Sequence, residues 1–420
     1  MSADGFGGRG LRVLEAFAGA GGAALGLRAA GFSSIACLEW DKDAAATLAA
    51  AGFPAIHGDV RAYTPTERPD LLWASPPCQA WSSAGKRGGA TDERNGWPWT
   101  FDLCDRAKPT WMVCENVPGL LMHSGEANCD RSGSEPVKCP GCYWLAVILP
   151  EARRRFAVVE WRVLDAASFG VPQRRHRVFL VCGPTAIRWP EPTHADPDTL
   201  RQGSMFGPKL QPWRTVRQAL NLDLLAGARN VAQFSRVLLP DAPADSIQAG
   251  SPTSDHAPLV RVTGGGSNPH GKDASHERTY RDMTDEPSTT VAAEQIGNAG
   301  PFVLDLPMPT MSAGGHANGR SAVSANAHTR RMFDAAGIRR LTVMECATLQ
   351  DFPPDHPWQG TQTSRYRQVG NAVPPSLARV VGGAVAEAIV RANVEGRELP
   401  RDSRSVLGCN VALDAVTPPL

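Results

Sequence analysis

The residues Ser75-Pro76-Pro77-Cys78-Gln79 place a thiol where it could act as a nucleophile. They follow the apolar run Leu71-Leu72-Trp73-Ala74, which reads as a short buried strand opened by Asp70. Consecutive prolines lack N–H groups and fix φ, so the chain leaves the sheet here and presents Cys78 on a stiff turn at the strand's carboxyl end. In an open α/β sheet that edge is where ligands and chemistry sit. A free thiol is most often a small packed hydrophobe, so Cys78 needs partners before it counts as reactive. A second strand, Thr110 to Glu115, runs into Glu115-Asn116-Val117-Pro118 and brings a carboxylate to the same edge. Burying a carboxylate is costly unless it has a partner or a proton to carry. Two basic runs, Arg153-Arg154-Arg155 and Arg174-Arg175-His176-Arg177, could line a local basic cleft in a chain whose formal net charge is only +1.

A second group of residues points to a cofactor. The predicted strand Leu11–Phe17 leads into Gly19-Ala20-Gly21-Gly22-Ala23-Ala24, a match to G-x-G-x-x-G/A, and then into a helix. Glycines there permit a tight turn and close approach of backbone to ligand. Glu39, twenty residues beyond Gly19, ends the next strand, where a carboxylate can accept both hydroxyls of a ribose, and Trp40 beside it offers a flat face for an adenine ring. This predicts a nucleoside cofactor and leaves open whether it is a dinucleotide or S-adenosylmethionine.

Phe17-Ala18-Gly19-Ala20-Gly21-Gly22, Pro76-Pro77-Cys78-Gln79, Glu115-Asn116-Val117, Gln173-Arg174-Arg175-His176-Arg177 and Gly370-Asn371-Ala372-Val373 together resemble, in order, the motifs of DNA (cytosine-5)-methyltransferases. The resemblance spans about Arg12 to Val181 and Arg339 to Ala392. It implies S-adenosyl-L-methionine as cofactor and double-stranded DNA as partner. It also implies addition of the Cys78 thiolate to carbon 6 of a flipped-out cytosine, which activates carbon 5 toward the methyl group. Glu115 is the implied acid at ring nitrogen 3, with a raised pKa suited to holding the proton. Arg177 is expected on the base's carbonyl oxygen, and Arg175 is expected to organise the loop that carries Cys78. The implied cofactor contacts are Phe17, Gly19, Gly21, Glu39, Trp40, Asp59, Pro77, Asn371 and Val373, with Asp59 meeting the adenine amino group. The polar segment Trp81 to Trp99 is expected to be a lid over DNA, with Ser82 or a neighbour on phosphate. Trp81 stands where the family usually has Phe, an exchange of one aromatic ring for another.

The expected fold class is α/β: a Rossmann-like S-adenosylmethionine-dependent methyltransferase sheet with a second, smaller, irregular β-containing target-recognition domain. Further strands are expected at Ser34 to Glu39, Val158 to Leu164 and Arg177 to Val181, in a largely parallel sheet, with helices at Thr342 to Leu349 and Pro375 to Asn393. From about Gly183 the chain turns rich in Pro, Gly, Ser, Thr and Asp, and an Asp-x-Pro turn recurs at Asp241, Asp285 and Asp305. The expected division is 1–182 catalytic, 183–331 target recognition, 332–395 completion of the catalytic domain, and 396–420 a tail. Ten scattered cysteines suggest a reducing, intracellular setting, and no run approaches membrane-spanning length. Cytoplasmic location on nucleoid DNA, a monomer on DNA and a cognate restriction endonuclease complete the expectation, for a modification enzyme of bacterial or phage origin. Cys139-Pro140-Gly141-Cys142, with Cys129 and His123, forms a possible zinc knuckle that the family does not require. A tRNA cytosine-5 methyltransferase shares the chemistry but usually lacks so large an insert. An NAD-dependent oxidoreductase leaves Cys78 and Glu115 unexplained, and an inert DNA-binding homologue does not need Cys78, Glu115 and Arg177 together.

Overall fold

The computed structural model describes residues 10–77, 90, 92–122, 139–201, 210–220 and 342–394, with the strands Val237–Leu238, Ala244–Asp245, Leu259–Val260, Phe302–Leu304 and Ile338–Arg340. Its first half alternates β1 (Leu11–Ala16), α1 (Gly22–Ala29), β2 (Phe32–Glu39), α2 (Lys42–Ala50), β3 (Ala55–His57), β4 (Leu71–Ala74), α3 (Trp97–Ala107) and β5 (Trp111–Asn116). A helical run over 140–153 follows, with a π turn at Trp144–Ile148, and then β6 (Val158–Asp165), β7 (Gln173–Arg174) and β8 (His176–Gly183). Seven strands form one sheet in the order β3-β2-β1-β4-β5-β8-β6. Neighbours from β3 through β5 pair in parallel, whereas β8 is antiparallel to both β5 and β6. The sheet is therefore mixed at that end. The connection from β6 to β8, a 3-10 turn at Ala166–Phe169 and then β7, is too short to carry the chain back across the sheet.

Both faces of the sheet are buried, as central parallel strands require. On one face Val13, Trp73, Val113 and Phe179 pack with Leu27 of α1 and with Leu377, Val381 and Val385 of a long C-terminal helix. On the other, Leu14, Leu72, Met112 and Leu180 pack with Phe101 and Leu103 of α3 and with Trp144. The body is closed from the far end of the chain by α4 (Val343–Leu349), α5 (Gln362–Asn371) and α6 (Pro375–Val394). Thr342 caps α4 in a capping box with Glu345. The stretch Gln362–Asn393 is long and apolar enough to cross a membrane by composition, contrary to the sequence expectation, but 61% of its window is buried inside the protein. A break at Ala372–Pro374 separates its two helices.

Residues 97–99, the end of the segment Trp81 to Trp99 expected to form a lid, belong instead to α3. Trp97 is fully buried at the start of α3, and Pro98 occupies the first turn, where a missing N–H costs nothing. Ile187 and Trp189 lie in the first core cluster, and Val216 lies in a third with Cys346, Leu349, Trp358 and Tyr366. Residues 184–201 and 210–220 thus pack on the catalytic body. Beyond them, Val237–Leu238, Leu259–Val260, Phe302–Leu304 and Ile338–Arg340 form a four-stranded sheet. The turns at Asp241, Asp285 and Asp305 lie outside the described residues, as do the tail and the segment 78–89.

Close approach between α1 and α6 depends on missing side chains. A Cβ on Gly26 would collide with the Pro375 carbonyl and come within 2.7 Å of Ala378 Cβ, whereas Gly383 on α6 has nothing within 4 Å. Gly26→Ala is therefore expected to destabilise the protein by about 1–3 kcal/mol through overpacking. Gly383→Ala should stabilise it by roughly 0.5–1 kcal/mol through helix propensity. Urea unfolding of the two variants beside the wild type checks the pair.

Candidate active site

The strand β1 ends in a backbone that few side chains tolerate. Phe17 has φ 57°, Gly19 φ 57° and Gly21 φ 90°, and the turn closes with the Gly21 amide on the Ala18 carbonyl at 3.2 Å. Glu39, at the end of β2, fixes that turn by accepting from the Gly19 and Asp41 amides, both at 2.7 Å. Burial holds the Glu39 carboxyl above the ordinary carboxylate range, against the pull of these amides. Trp40 next to it is 70% exposed, and the space above Gly19 is open for at least 4 Å. The far wall comes from the other end of the chain. Asn371 is exposed at the end of α5, and Val373 is buried with its carbonyl so close that Gly22 has no room for a Cβ. A carboxylate, a bare aromatic face and a glycine turn fit a nucleoside with a vicinal diol and a flat base.

Asp59 shows a competing engagement. Both its oxygens accept from the Arg61 guanidinium at 2.6–3.0 Å, and one also accepts from the Arg61 amide, which holds its carboxyl below the usual range. Arg61 in turn lies over the Trp99 ring at 4.8 Å. An adenine amino group reaching Asp59 has to share it with Arg61, a neighbour that the sequence reading did not weigh.

The catalytic edge is formed by β4, β5 and β8. Glu115 and Arg177 are both buried, with the Arg177 Nε 2.8 Å from the Glu115 Oε1. Burial is the largest influence on Glu115 and raises its pKa, although Arg177, Arg175 and a hydrogen bond with Ser75 oppose it. The carboxyl therefore keeps a proton to higher pH than an exposed glutamate does. Asn116, the next residue, donates from Nδ2 to the Pro76 carbonyl at 3.0 Å and accepts the Val117 amide at 2.9 Å. It ties the turn that leads to Cys78 onto β5. Gly96 packs against the same turn, since a Cβ there would fall 2.5 Å from Pro77 Cδ. The sequence reading assigned no role to Asn116; a polar amide directly after the strand-end glutamate was the available signal. Cys78 itself lies outside the described residues.

Arg175 reaches a second part of the chain as well as the catalytic edge. Its guanidinium Nη2 donates to the carbonyls of Gly370 and Ala372, each at 2.8 Å, so it grips the turn that bears Asn371. Gln350, also fully buried, donates to the same Ala372 carbonyl at 2.6 Å. The turn at Asn371, from the chain's far end, is thus bolted to the segment that leads into Arg177. Of the zinc candidates, Cys139 is buried and Cys142 half-buried, while His123 and Cys129 lie outside the described residues. No group of three or more metal-type ligands occurs among the described residues.

A glycine turn and ribose-type acid on a parallel sheet, with a carboxylate–guanidinium pair farther along the same edge, define a Rossmann-like methyltransferase. The chain belongs to the C-5 cytosine-specific DNA methylases, whose family model matches residues 11–387, and it is a DNA cytosine-5 methyltransferase. It is 31% identical to the type II methyltransferase M.NaeI of Lentzea aerocolonigenes over 94% of this chain and 78% of that protein. It is 28% identical to the type II methyltransferase M.NgoMIV of Neisseria gonorrhoeae over 90% of this chain and 98% of that one. The fold is shared with the crystal structure of a DNMT2 mutant from Spodoptera frugiperda, at a TM-score of 0.52 and 13% identity, covering 90% of this chain and 99% of that one. The tRNA alternative is not the one this family match favours.

Two expected outcomes follow from the geometry. Arg175→Lys should weaken S-adenosylmethionine binding by about tenfold or more, because a lysine cannot span both carbonyls as a planar fork does. Calorimetric titration with a single-turnover rate checks it: unchanged affinity with a collapsed rate would refute this and place the effect of Arg175 on the loop that carries Cys78. Glu15, fully buried on β1 under the glycine turn, has its pKa raised from 4.5 to about 8, chiefly by burial and then by Glu39. Between those values the folded chain holds a proton that the unfolded chain has released, so stability falls as pH rises through the window and levels above about 8. Melting curves from pH 5 to 9 should show Glu15→Gln gaining on the wild type across that window, by at most roughly 1.4 kcal/mol per unit.

Proposed function

We propose that this methyltransferase uses S-adenosylmethionine to methylate a cytosine flipped out of duplex DNA, with Cys78 as nucleophile and Glu115 and Arg177 as the groups that hold the base. The observation that supports this most is the buried Glu115–Arg177 pair, set beside a turn that Asn116 fastens immediately before Cys78. A polar pair in that position matches the ring nitrogen 3 and carbonyl oxygen 2 of cytosine. The Cys78 sulfur adds to carbon 6, Glu115 holds a proton at nitrogen 3, and Arg177 donates to oxygen 2, so that electron density builds at carbon 5. S-adenosylmethionine, when bound, supplies an electrophilic methyl group. Once carbon 5 carries that methyl group, loss of its proton to a base breaks the sulfur–carbon 6 bond, restores the ring double bond and frees Cys78.

Phe17, Gly19, Gly21, Glu39, Trp40, Asp59, Pro77, Asn371 and Val373 are the residues we assign to the cofactor, with Glu39 on the ribose hydroxyls and Trp40 on the adenine. Arg175 supports that site through the turn at Asn371. The catalytic body comprises the chain up to Leu220 and from Thr342 to about 395, and the segment between carries target recognition in the major groove. The packing of Trp189 and Val216 into the body supports this later start for the recognition segment. The type II designation of the relatives supports a restriction–modification role with a cognate endonuclease. A monomer acting on DNA inside the cell accords with that role.

The test incubates wild type and Cys78→Ser with labelled S-adenosylmethionine and, separately, duplex DNA and tRNA. Cys78-dependent label in DNA is the expected result, with the variant reduced by at least about a thousandfold, as for loss of a covalent nucleophile. Label confined to tRNA would refute the substrate, and full activity in Cys78→Ser would refute the mechanism.

A further inference from the structure

Gln173 is completely buried, and neither its amide oxygen nor its amide nitrogen has a hydrogen-bond partner. Several buried tryptophans also leave an indole N–H unmet, but among the described residues no other side chain leaves a donor and an acceptor unmet together. A buried amide in that state opposes folding, and it persists only where something else depends on it.

The direction of the side chain follows from its neighbours. Arg174 and His176 both turn to Asp165, at 3.7 and 3.5 Å. Arg177 turns to Glu115, and Arg175 acts electrostatically on the same carboxylate. Side chains alternate along an extended segment, so Gln173 shares the side of Arg175 and Arg177. Its height follows from the register. Because β8 descends antiparallel to β5, with Val178 opposite Asn116, residues 173–175 lie beyond the carboxyl edge of β5, with Gln173 and Arg175 both buried there. Its backbone is also occupied: β7 pairs in parallel with Ala244–Asp245, Ala244 opposite Gln173. That partner strand belongs to the segment we assign to target recognition.

We propose that Gln173 is a substrate-positioning residue, whose amide is kept unpaired in the free enzyme and takes its donor and acceptor partners from the target nucleotide once DNA engages the recognition segment. The inference rests on the function proposed above. A shift of Ala244–Asp245 on DNA moves β7 directly, and β7 continues into Arg175 and Arg177 within three residues. Target engagement and base capture then share one short strand.

The test replaces the amide by an apolar side chain of similar volume, Gln173→Met, with Gln173→Leu as a second variant should methionine disturb folding. The expected result is a melting temperature equal to or above that of the wild type, unchanged S-adenosylmethionine affinity, and kcat/KM for duplex DNA lower by about tenfold or more, as for lost hydrogen bonds to substrate. Unchanged kcat/KM would overturn the proposal. A parallel fall in melting temperature, cofactor affinity and rate, or failure of both variants to fold, would also overturn it by making Gln173 a residue of the fold. Wild type assayed alongside separates the two readings: if it does not label DNA, the proposed function fails first.

Discussion

Arg175 lies in the core with the carbonyls of Gly370 and Ala372 as acceptors, and a guanidinium in that position is costly unless its donors are met by fixed oxygens. Those oxygens belong to a turn 195 residues further along the chain, so the bond joins two parts of the sequence that no local preference brings together. Much of the site depends on this junction. The turn bears Asn371 and Val373, Gly22 packs beneath the Val373 carbonyl, and α6 continues from the turn into the groove over Gly26. On the other side of Arg175 the same strand carries Arg177 to Glu115. One side chain therefore sets the spacing between the turn at Asn371 and the Glu115–Arg177 pair.

Two buried glutamates of the sheet, on β1 and β5 with β4 between them, carry raised pKa values with different surroundings. Glu15 has an unmet oxygen and, among the described residues, the carboxylate of Glu39 and the thiol of Cys37 beside it, and burial outweighs the one opposing bond from the Ala24 amide. Glu115 is equally deprived of water but faces Arg177, Arg175 and Ser75. Its proton is thus held less firmly than that of a lone buried acid, and a group poised in this way can exchange a proton with a ring nitrogen.

The strands, the glycine turn and the acids at their ends were legible because parallel strands buried on both faces leave unbroken apolar runs that stop at the functional edge. Strand β3 was missed, since Ala55–His57 is short and exposed at the sheet's margin. Helix α5 was missed because its sequence, Gln362 to Asn371, is almost wholly polar: Tyr366 and Val369 carry its apolar packing, and the rest of its hold comes from polar bonds such as the one Thr47 donates to Gln368. The reversal of β8 could not be read from periodicity, which is the same in either direction; only the short connection from β6 requires it. Arg175 was recognised as important, but its acceptors are backbone carbonyls, and backbone atoms carry no residue identity for a sequence to display. Asp59 met an arginine two residues on for a similar reason: short-range ion pairs depend on side-chain rotamers rather than on motif spacing.

Helices Val216–Leu220 and α4 pack in one cluster through Val216, Cys346 and Leu349. The intervening segment therefore leaves the body and returns to it at adjoining points. An insert whose two ends are side by side adds little closure entropy to its host, whatever its length or internal design. The body is in this sense a socket from which residues 221–341 leave and to which they return side by side, with the pairing of Ala244–Asp245 on β7 as a further point of attachment.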